Sequence, residues 1–280
     1  MRFFKSKKFI CILVLFILIV VRHFYNNSEN VLLWTPNIEY QSVSNILEKE
    51  VLSENDYITI FNQTGISPYS INEIKNSGDI SKIKELNTMF FDRQEIKQKY
   101  LCFPFTTMEY NLDEKTPIVP VKNGDILVNF STSTLDWRHG HSALVIDAEN
   151  DKTIEHTLVG AQSHIGSVSS WGKQPKFVIL RYEDEDIVNK VVEFAKENLI
   201  GVDYDIFVGI DGNKDKTNEK RKYASNCSHI VWQAFKSQGI DIDSNGGLFV
   251  TPKDIALSKK LKVIQIMGID TKNYIDRLLW

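Results

Sequence analysis

Short apolar runs separated by turn residues fill the second half of the chain. They lie at 124–128, 141–147, 153–157, 176–182 and 261–267. Runs of this length, bounded by Gly, Asn and Asp, are typical of β-strands. Because Asn150-Asp151-Lys152 separates the second run from the third, these two predict an antiparallel hairpin.

Helical spacing replaces this pattern at two places between the runs. Asp184 can cap a helix with apolar residues on one face, and Gly201 ends it. Ser225 or Asn226 can cap a second helix, which ends near Gly239. Helices inserted among antiparallel strands predict an α+β fold, with a sheet or small barrel that carries helices on one side.

Residues 27–118 instead contain residues that typically begin and end helices. Ser53 and Gly65 bracket one amphipathic segment, Ser67 and Gly78 bracket a second, and Asp79 begins a third. No spacing typical of a catalytic set occurs here. We therefore predict three parts: an N-terminal segment 1–26, a small helical module 27–118 that serves packing, docking or substrate binding, and an α+β domain 119–280.

The N-terminal segment places four basic residues before an apolar run from Phe9 to Val21, which Arg22 ends. A basic region followed by an apolar run is typical of a secretory signal peptide. The length of the run favours a signal peptide, whereas the lack of a small-x-small cleavage site favours a retained anchor. Both interpretations place the rest of the chain outside the cytoplasm, either anchored to the cell membrane or secreted, and we expect the apolar segment to be the part that contacts the membrane.

Composition narrows the classes of function. The chain has 280 residues, of which 25% are charged and 42% hydrophobic, and its net charge is -3. The absence of a basic surplus argues against nucleic acid as a partner. Cys11, Cys102 and Cys227 are too few for a disulfide framework. A Cys102–Cys227 bridge remains possible and would remove a candidate thiol.

Cys227 is the strongest candidate for chemistry. It falls in the first turn of the helix that Ser225 or Asn226 caps, where backbone N–H groups and the helix dipole favour a thiolate. A nucleophilic cysteine needs a base, and His141 begins a predicted strand after Gly140. The alternative interpretations are a buried structural cysteine and a core histidine.

A base needs a hydrogen-bond acceptor that orients it. The second strand of the predicted hairpin, at 153–157, offers two candidates. Glu155 and His156 point to opposite faces of that strand, so only one can serve. His156 shares its face with Ile154 and Leu158, which suits a core or site position. Several histidines could also supply zinc ligands, but none has a typical ligand spacing, so we predict no metal.

Together these residues resemble the permuted branch of the NlpC-type papain-like cysteine hydrolases, nearest to its YiiX/YycO-like group. In that branch the histidine precedes the cysteine, as it does here. The matching stretches are Gly124-Asp125-Ile126-Leu127, Gly140-His141-Ser142-Ala143-Leu144-Val145, Ile154-Glu155, Asp203-Tyr204-Asp205, Asn226-Cys227-Ser228 and Thr251-Pro252.

The resemblance implies a papain-like fold without a cofactor. Cys227 would be the nucleophile, His141 the base, Glu155 the third polar residue and Tyr204 a substrate-binding residue. His229 departs from the pattern, because the family usually has an acidic residue there. The implied activity is an extracytoplasmic hydrolase of amide bonds in cell-wall peptides. The alternatives are a lipid amidase or acyltransferase of the envelope, or a catalytically inactive binding module of the envelope.

Overall fold

The computed structural model describes residues 7–26, 32–92, 94–102, 105–111, 115–134, 137–209, 214 and 223–280. Its helices are α1 (Lys7–Asn26), α2 (Ser44–Leu47), α3 (Glu54–Thr64), α4 (Pro68–Ser77), α5 (Ile80–Phe91), α6 (Glu185–Asn198), α7 (Cys227–Lys236) and α8 (Pro252–Ala256). Its strands are β1 (Ile96–Cys102), β2 (Phe105–Tyr110), β3 (Ile126–Asn129), β4 (Ser133–Thr134), β5 (Trp137–Arg138), β6 (His141–Asp147), β7 (Lys152–Glu155), β8 (His164–Ser167), β9 (Phe177–Arg181) and β10 (Lys262–Met267). Three 3-10 helices complete the description, at Val168–Lys173, Thr271–Asn273 and Ile275–Arg277.

The main sheet has six strands in the order β10-β9-β3-β6-β7-β8, and every neighbouring pair is antiparallel. β6 and β7 form the predicted hairpin, whose turn places Asp151 at a φ of 59°. α6 and α7 pack together, and both pack against β6. The predicted α+β class, with antiparallel strands and helices, is confirmed at this level.

A second sheet joins β1, β2, β4 and β5 in that order. The sequence pattern predicts only helices before residue 119, so the β1–β2 hairpin is an element that it missed. β2 pairs with β4 through Phe105 and Thr134. This sheet therefore takes strands from both sides of the predicted boundary at 118.

The helices between residues 53 and 91 begin and end close to the predicted residues. Ser53 caps α3 in a reciprocal box with Asp56, and Gly65 ends that helix at a φ of 73°. A side chain at Gly65 is also excluded by space, because a Cβ there would lie 2.3 Å from the carbonyl oxygen of Ile266. Ser67 caps α4, and its backbone N–H donates to the carbonyl of Ile264 in β10 at 3.0 Å. These helices share one hydrophobic core with the main sheet.

The prediction that the N-terminal apolar segment attaches the chain to a membrane is wrong. Within the described ranges, no helix combines the length and the apolar character that crossing a bilayer requires. The physical reason is length: the apolar run from Phe9 to Val21 rises about 20 Å as a helix, against a hydrocarbon core of about 30 Å. α1 lies against β5, with the Arg22 guanidinium 3.5 Å from the centre of the Trp137 ring.

Candidate active site

Cys227 is the first residue of α7. The side chain of Asn226 caps this helix by accepting the backbone N–H of His229 at 3.0 Å. Behind the cysteine, a fully buried apolar face holds α7 on the sheet, formed by Ile230, Val231, Ala234 and Phe235. Cys227 is 7% exposed and is a free thiol, so the alternative of a Cys102–Cys227 disulfide is wrong. The side chain of Cys102 lies outside the described residues.

His141 is the first residue of β6, directly opposite Asn129 in β3. Gly140 before it has a φ of 84°, and a Cβ there would lie 2.2 Å from the carbonyl oxygen of Asn129. Only glycine fits this position. His141 and Cys227 lie close enough for each to shift the pKa of the other, and the backbone N–H of Ser142 also lowers the pKa of Cys227.

Glu155 meets the other side of the His141 ring, with 3.0 Å between Glu155 Oε2 and His141 Nε2. The register explains this contact: Glu155 pairs with Ala143, which shares a face of β6 with His141. His156 lies just past the end of β7. Its ring packs edge-on against Tyr204 at 4.7 Å, and its Nε2 lies 3.4 Å from the carbonyl oxygen of Ala161. Burial lowers the pKa of His156 to about 4, so it is neutral at pH 7.

Two partners of Glu155 were not predicted. The Trp171 indole N–H donates to Glu155 Oε1 at 3.2 Å, and the Thr153 hydroxyl donates to the same oxygen at 2.7 Å. Trp171 also stacks on His141, with the ring centres 5.6 Å apart and the planes 16° from parallel. Strand alternation could have indicated Thr153, which lies two residues before Glu155. No local pattern indicates Trp171, because it reaches the site from the 3-10 helix Val168–Lys173.

The side chains of Cys227, His141 and Glu155 stabilise one another's charged forms. Burial disfavours a charged His141, but its hydrogen bonds to Cys227 and Glu155 and their negative charges raise its pKa to about 10. Burial likewise disfavours a Cys227 thiolate, yet the hydrogen bond and positive charge of His141 leave the pKa of Cys227 below its ordinary value. The pKa of Glu155 is also lowered, because His141 outweighs burial. The three shifts therefore all favour the charged forms: a thiolate at Cys227, an imidazolium at His141 and a carboxylate at Glu155.

Tyr204 borders the sulfur. Its backbone forms a parallel bridge with Ser225, two residues before Cys227. Burial and the negative charge of Cys227 raise the pKa of the Tyr204 phenol. The phenol therefore stays protonated and can donate a hydrogen bond toward the sulfur or a substrate oxygen.

His229, where the resemblance leads one to expect an acid, is used structurally. Its Nδ1 lies 2.9 Å from the hydroxyl oxygen of Ser225, and its Nε2 lies 2.9 Å from the backbone carbonyl oxygen of Lys214. It is 1% exposed. His229 therefore ties the start of α7 to the backbone of Lys214, and both of its ring nitrogens are engaged away from the thiol.

A cavity of about 270 Å³ opens on the Glu155 side of the imidazole. Its lining residues include His141, Glu155, Trp171, Asn129 and Gln174. Across the part of the chain that the structure describes, no group of three or more His, Cys, Asp or Glu side chains could hold a metal ion. What the site offers is a thiol whose pKa is lowered and an imidazole that can donate a proton, next to a small polar cavity.

The chain is similar to the uncharacterized protein YycO of Bacillus subtilis strain 168. The two are 34% identical over 131 residues, which are 45% of this chain and 48% of that protein. The chain thus matches about half the length of this curated relative. No family model and no solved structure matches the chain.

Proposed function

We propose that the chain is a cysteine hydrolase with a permuted NlpC-type papain-like fold, and that it cleaves amide bonds. The observation that carries this proposal is the buried series Cys227, His141 and Glu155, in which the pKa of the thiol is lowered, the pKa of the imidazole is raised, and Glu155 contacts His141 at 3.0 Å. A cysteine with only a structural role needs neither a histidine partner nor a carboxylate behind that histidine.

The chemistry follows from these contacts. The Cys227 thiolate attacks the carbonyl carbon of the scissile amide, and a C–S bond forms. The backbone N–H of Cys227, at the start of α7, stabilises the oxyanion. His141 gives its proton to the departing amine as the C–N bond breaks, which leaves a thioester on Cys227. His141 then takes a proton from water, the resulting hydroxide attacks the thioester, and the C–S bond breaks to release the acid.

Glu155 acts through His141. Its carboxylate holds Nε2 of the imidazole, so Nδ1 is the ring nitrogen left for the sulfur. It also stabilises the imidazolium that must exist before the amine departs. Because Trp171 and Thr153 fix the other carboxylate oxygen, the orientation of the base is set by the fold before substrate binds.

The substrate class that we propose is cell-wall peptide. Basic residues before an apolar run are typical of exported proteins, and the proposed location of this domain outside the cytoplasm gives it access to the wall. Purified full-length protein should release new amino termini from isolated peptidoglycan, detected by amine labelling and mass spectrometry. Cys227→Ser should release none while keeping its circular dichroism spectrum.

An acylation test separates hydrolysis from binding without turnover. The activated ester 4-nitrophenyl acetate should give a burst of nitrophenol and an acetyl group on Cys227, seen by intact mass. His141→Ala should lose the burst. A folded wild-type protein that is never acetylated at Cys227 would refute the hydrolase and favour an envelope binding module.

A further inference from the structure

Gly166 is the third residue of β8, the last strand in the order of the main sheet. It lies directly opposite Thr153 in β7, and His164 lies opposite Glu155. Because alternate residues of a strand share a face, Thr153, Glu155 and Gly166 all lie on one face of the sheet. This is also the face on which Glu155 contacts His141. Gly166 is therefore a diagonal neighbour of the carboxylate, as His141 is on the strand at the other side of β7.

The backbone at position 166 does not require glycine. The φ of Gly166 lies outside the left-handed region, in contrast to Gly65 and Gly140, whose φ values are 73° and 84°. Any residue could adopt this backbone conformation, and a glycine within a strand loses backbone entropy on folding and supplies no side chain for packing. A glycine in a strand often marks a place where another group comes close. The need for glycine here is therefore one of space.

The space beside Gly166 is occupied by the Glu155 side chain. A Cβ at position 166 would lie 2.3 Å from Glu155 Oε1, 2.7 Å from Glu155 Cδ and 2.7 Å from Thr153 Oγ1. Carbon atoms that are not bonded to each other attract best at about 3.5 to 4.0 Å, and much shorter contacts are repulsive. An alanine at this position would therefore have to displace the carboxylate, the Thr153 hydroxyl or both.

The Glu155 carboxylate cannot move aside without losing contacts. Its Oε1 accepts the Trp171 indole N–H at 3.2 Å and the Thr153 hydroxyl at 2.7 Å, and its Oε2 lies 3.0 Å from His141 Nε2. Glu155 is 8% exposed, so water has little access to replace a lost partner. Because the carboxylate is a rigid plane, a shift at Oε1 also moves Oε2. A displacement away from position 166 would therefore disturb the contact with His141.

We propose that Gly166 is a positioning residue of the site: its missing side chain leaves the space in which the Glu155 carboxylate meets His141. This role rests on the proposed hydrolase function and deepens it, since Glu155 serves catalysis through His141. The positioning itself is a property of the folded site, so it can be measured without a substrate.

The pKa of His141 measures the positioning directly. Nuclear magnetic resonance titration of the full-length protein follows the imidazole, and the signal of His141 is the one that His141→Ala removes. In Gly166→Ala we expect the pKa of His141 to fall by about 1 relative to the wild type, because the negative charge of Glu155 lies farther away. An unchanged pKa in a variant that keeps its circular dichroism spectrum would overturn the proposal.

Gly247→Ala is a matched control. Gly247 is exposed, its φ also lies outside the left-handed region, and a Cβ there would lie 2.7 Å from Asn245 Oδ1. The variant thus creates a similar close contact with a side-chain oxygen, at an exposed amide instead of a buried carboxylate. We expect the pKa of His141 to keep its wild-type value. An equal fall in both variants would show a general effect of replacing glycine and would overturn the proposal.

A double-mutant cycle tests whether Gly166 acts through Glu155. Acetylation of Cys227 by 4-nitrophenyl acetate should slow by about 10-fold in Gly166→Ala. Alanine should add little further loss in Glu155→Gln, in which the charge is already absent. Equal loss in both backgrounds would overturn the proposal. If the wild type is never acetylated, the hydrolase proposal fails, and the pKa of His141 still decides whether Gly166 positions Glu155.

The double variant Glu155→Ala/Gly166→Ala covers the case in which Gly166→Ala does not fold, with Glu155→Ala as its reference. Removing the carboxylate removes the atoms nearest to the new Cβ, so the double variant should have the same circular dichroism spectrum as the reference. A double variant that stays unfolded while the reference folds would place the clash elsewhere and overturn the proposal.

Discussion

Glu155 and His141 face each other across β6 and β7, with Glu155 Oε2 3.0 Å from His141 Nε2. The contact is diagonal, since Glu155 is paired with Ala143 in the hairpin register. Diagonal neighbours on one face of a sheet are within reach of long side chains. The hairpin thus fixes Glu155 as the residue that contacts the His141 imidazole, whereas His156 packs on Tyr204 instead.

This relationship predicts different effects for two neighbouring substitutions. Glu155→Gln keeps the size of the side chain but removes the charge that stabilises imidazolium, so turnover should fall by about 100-fold. His156→Ala should change turnover by no more than a few fold, because His156 contacts neither His141 nor Glu155 through any hydrogen bond described. Steady-state kinetics on both variants checks this. Loss of activity only in the His156 variant would reverse the assignment.

The second prediction concerns the charge state of Cys227. Because His141 holds the pKa of Cys227 below its ordinary value, the ultraviolet absorbance of a thiolate should be present at neutral pH and absent in Cys227→Ser. His141→Ala should shift this absorbance to higher pH. Iodoacetamide should also label Cys227 faster than it labels N-acetylcysteine at mildly acidic pH. If Cys227 is labelled no faster than N-acetylcysteine, or only after denaturation, the proposal that it is an activated nucleophile is contradicted.

Much of this architecture could be predicted from local signals. Helix caps such as Ser53 and Asn226, and the turn at Asp151, are read directly from residue type. The β1–β2 hairpin was missed because three consecutive polar residues, Lys97, Gln98 and Lys99, interrupt the apolar alternation of Ile96–Cys102, and the strand propensity of such a segment depends on the neighbours with which it pairs. The choice between Glu155 and His156 needed the register, which depends on how β7 aligns with β6.

The contribution of Trp171 could not be predicted at all, because it depends on tertiary packing between distant segments. Its indole N–H donates to Glu155 Oε1 while its ring stacks on His141. Trp171→Phe should keep the stacking and lose the hydrogen bond. We expect turnover to fall by about 10-fold, with the acid limb of the pH profile shifted because Glu155 holds its charge less well.

A matched control exists for that variant. Trp232 also donates its indole N–H to a carboxylate, Asp241 Oδ1, at 2.8 Å. Trp232→Phe should therefore cost similar stability and leave the pH profile of turnover unchanged. If both variants lower turnover equally and neither moves the profile, Trp171 is a packing residue rather than a positioning residue.

The last prediction is how the Cys227–His141 pair makes the free energy of unfolding depend on pH. Unfolded, the histidine and cysteine have ordinary pKa values of 6.5 and 9.0; folded, that of His141 is raised to about 10 and that of Cys227 is lowered. The His141 contribution to stability is complete below pH 6.5 and is lost as pH rises toward 10. The Cys227 contribution is complete above pH 9.0 and is lost as pH falls through the folded pKa.

Below pH 9.0, and above both pH 6.5 and the folded pKa of Cys227, these two slopes cancel, because folded and unfolded chains bind the same number of protons on the pair. The difference in unfolding free energy between wild type and Cys227→Ala should therefore form a plateau over this window and decline on both sides. Urea unfolding from about pH 5 to about pH 10 measures it. A difference that stays constant across the whole range would mean that the folded site holds a neutral thiol and a neutral imidazole, and the hydrolase proposal would lose its charged nucleophile.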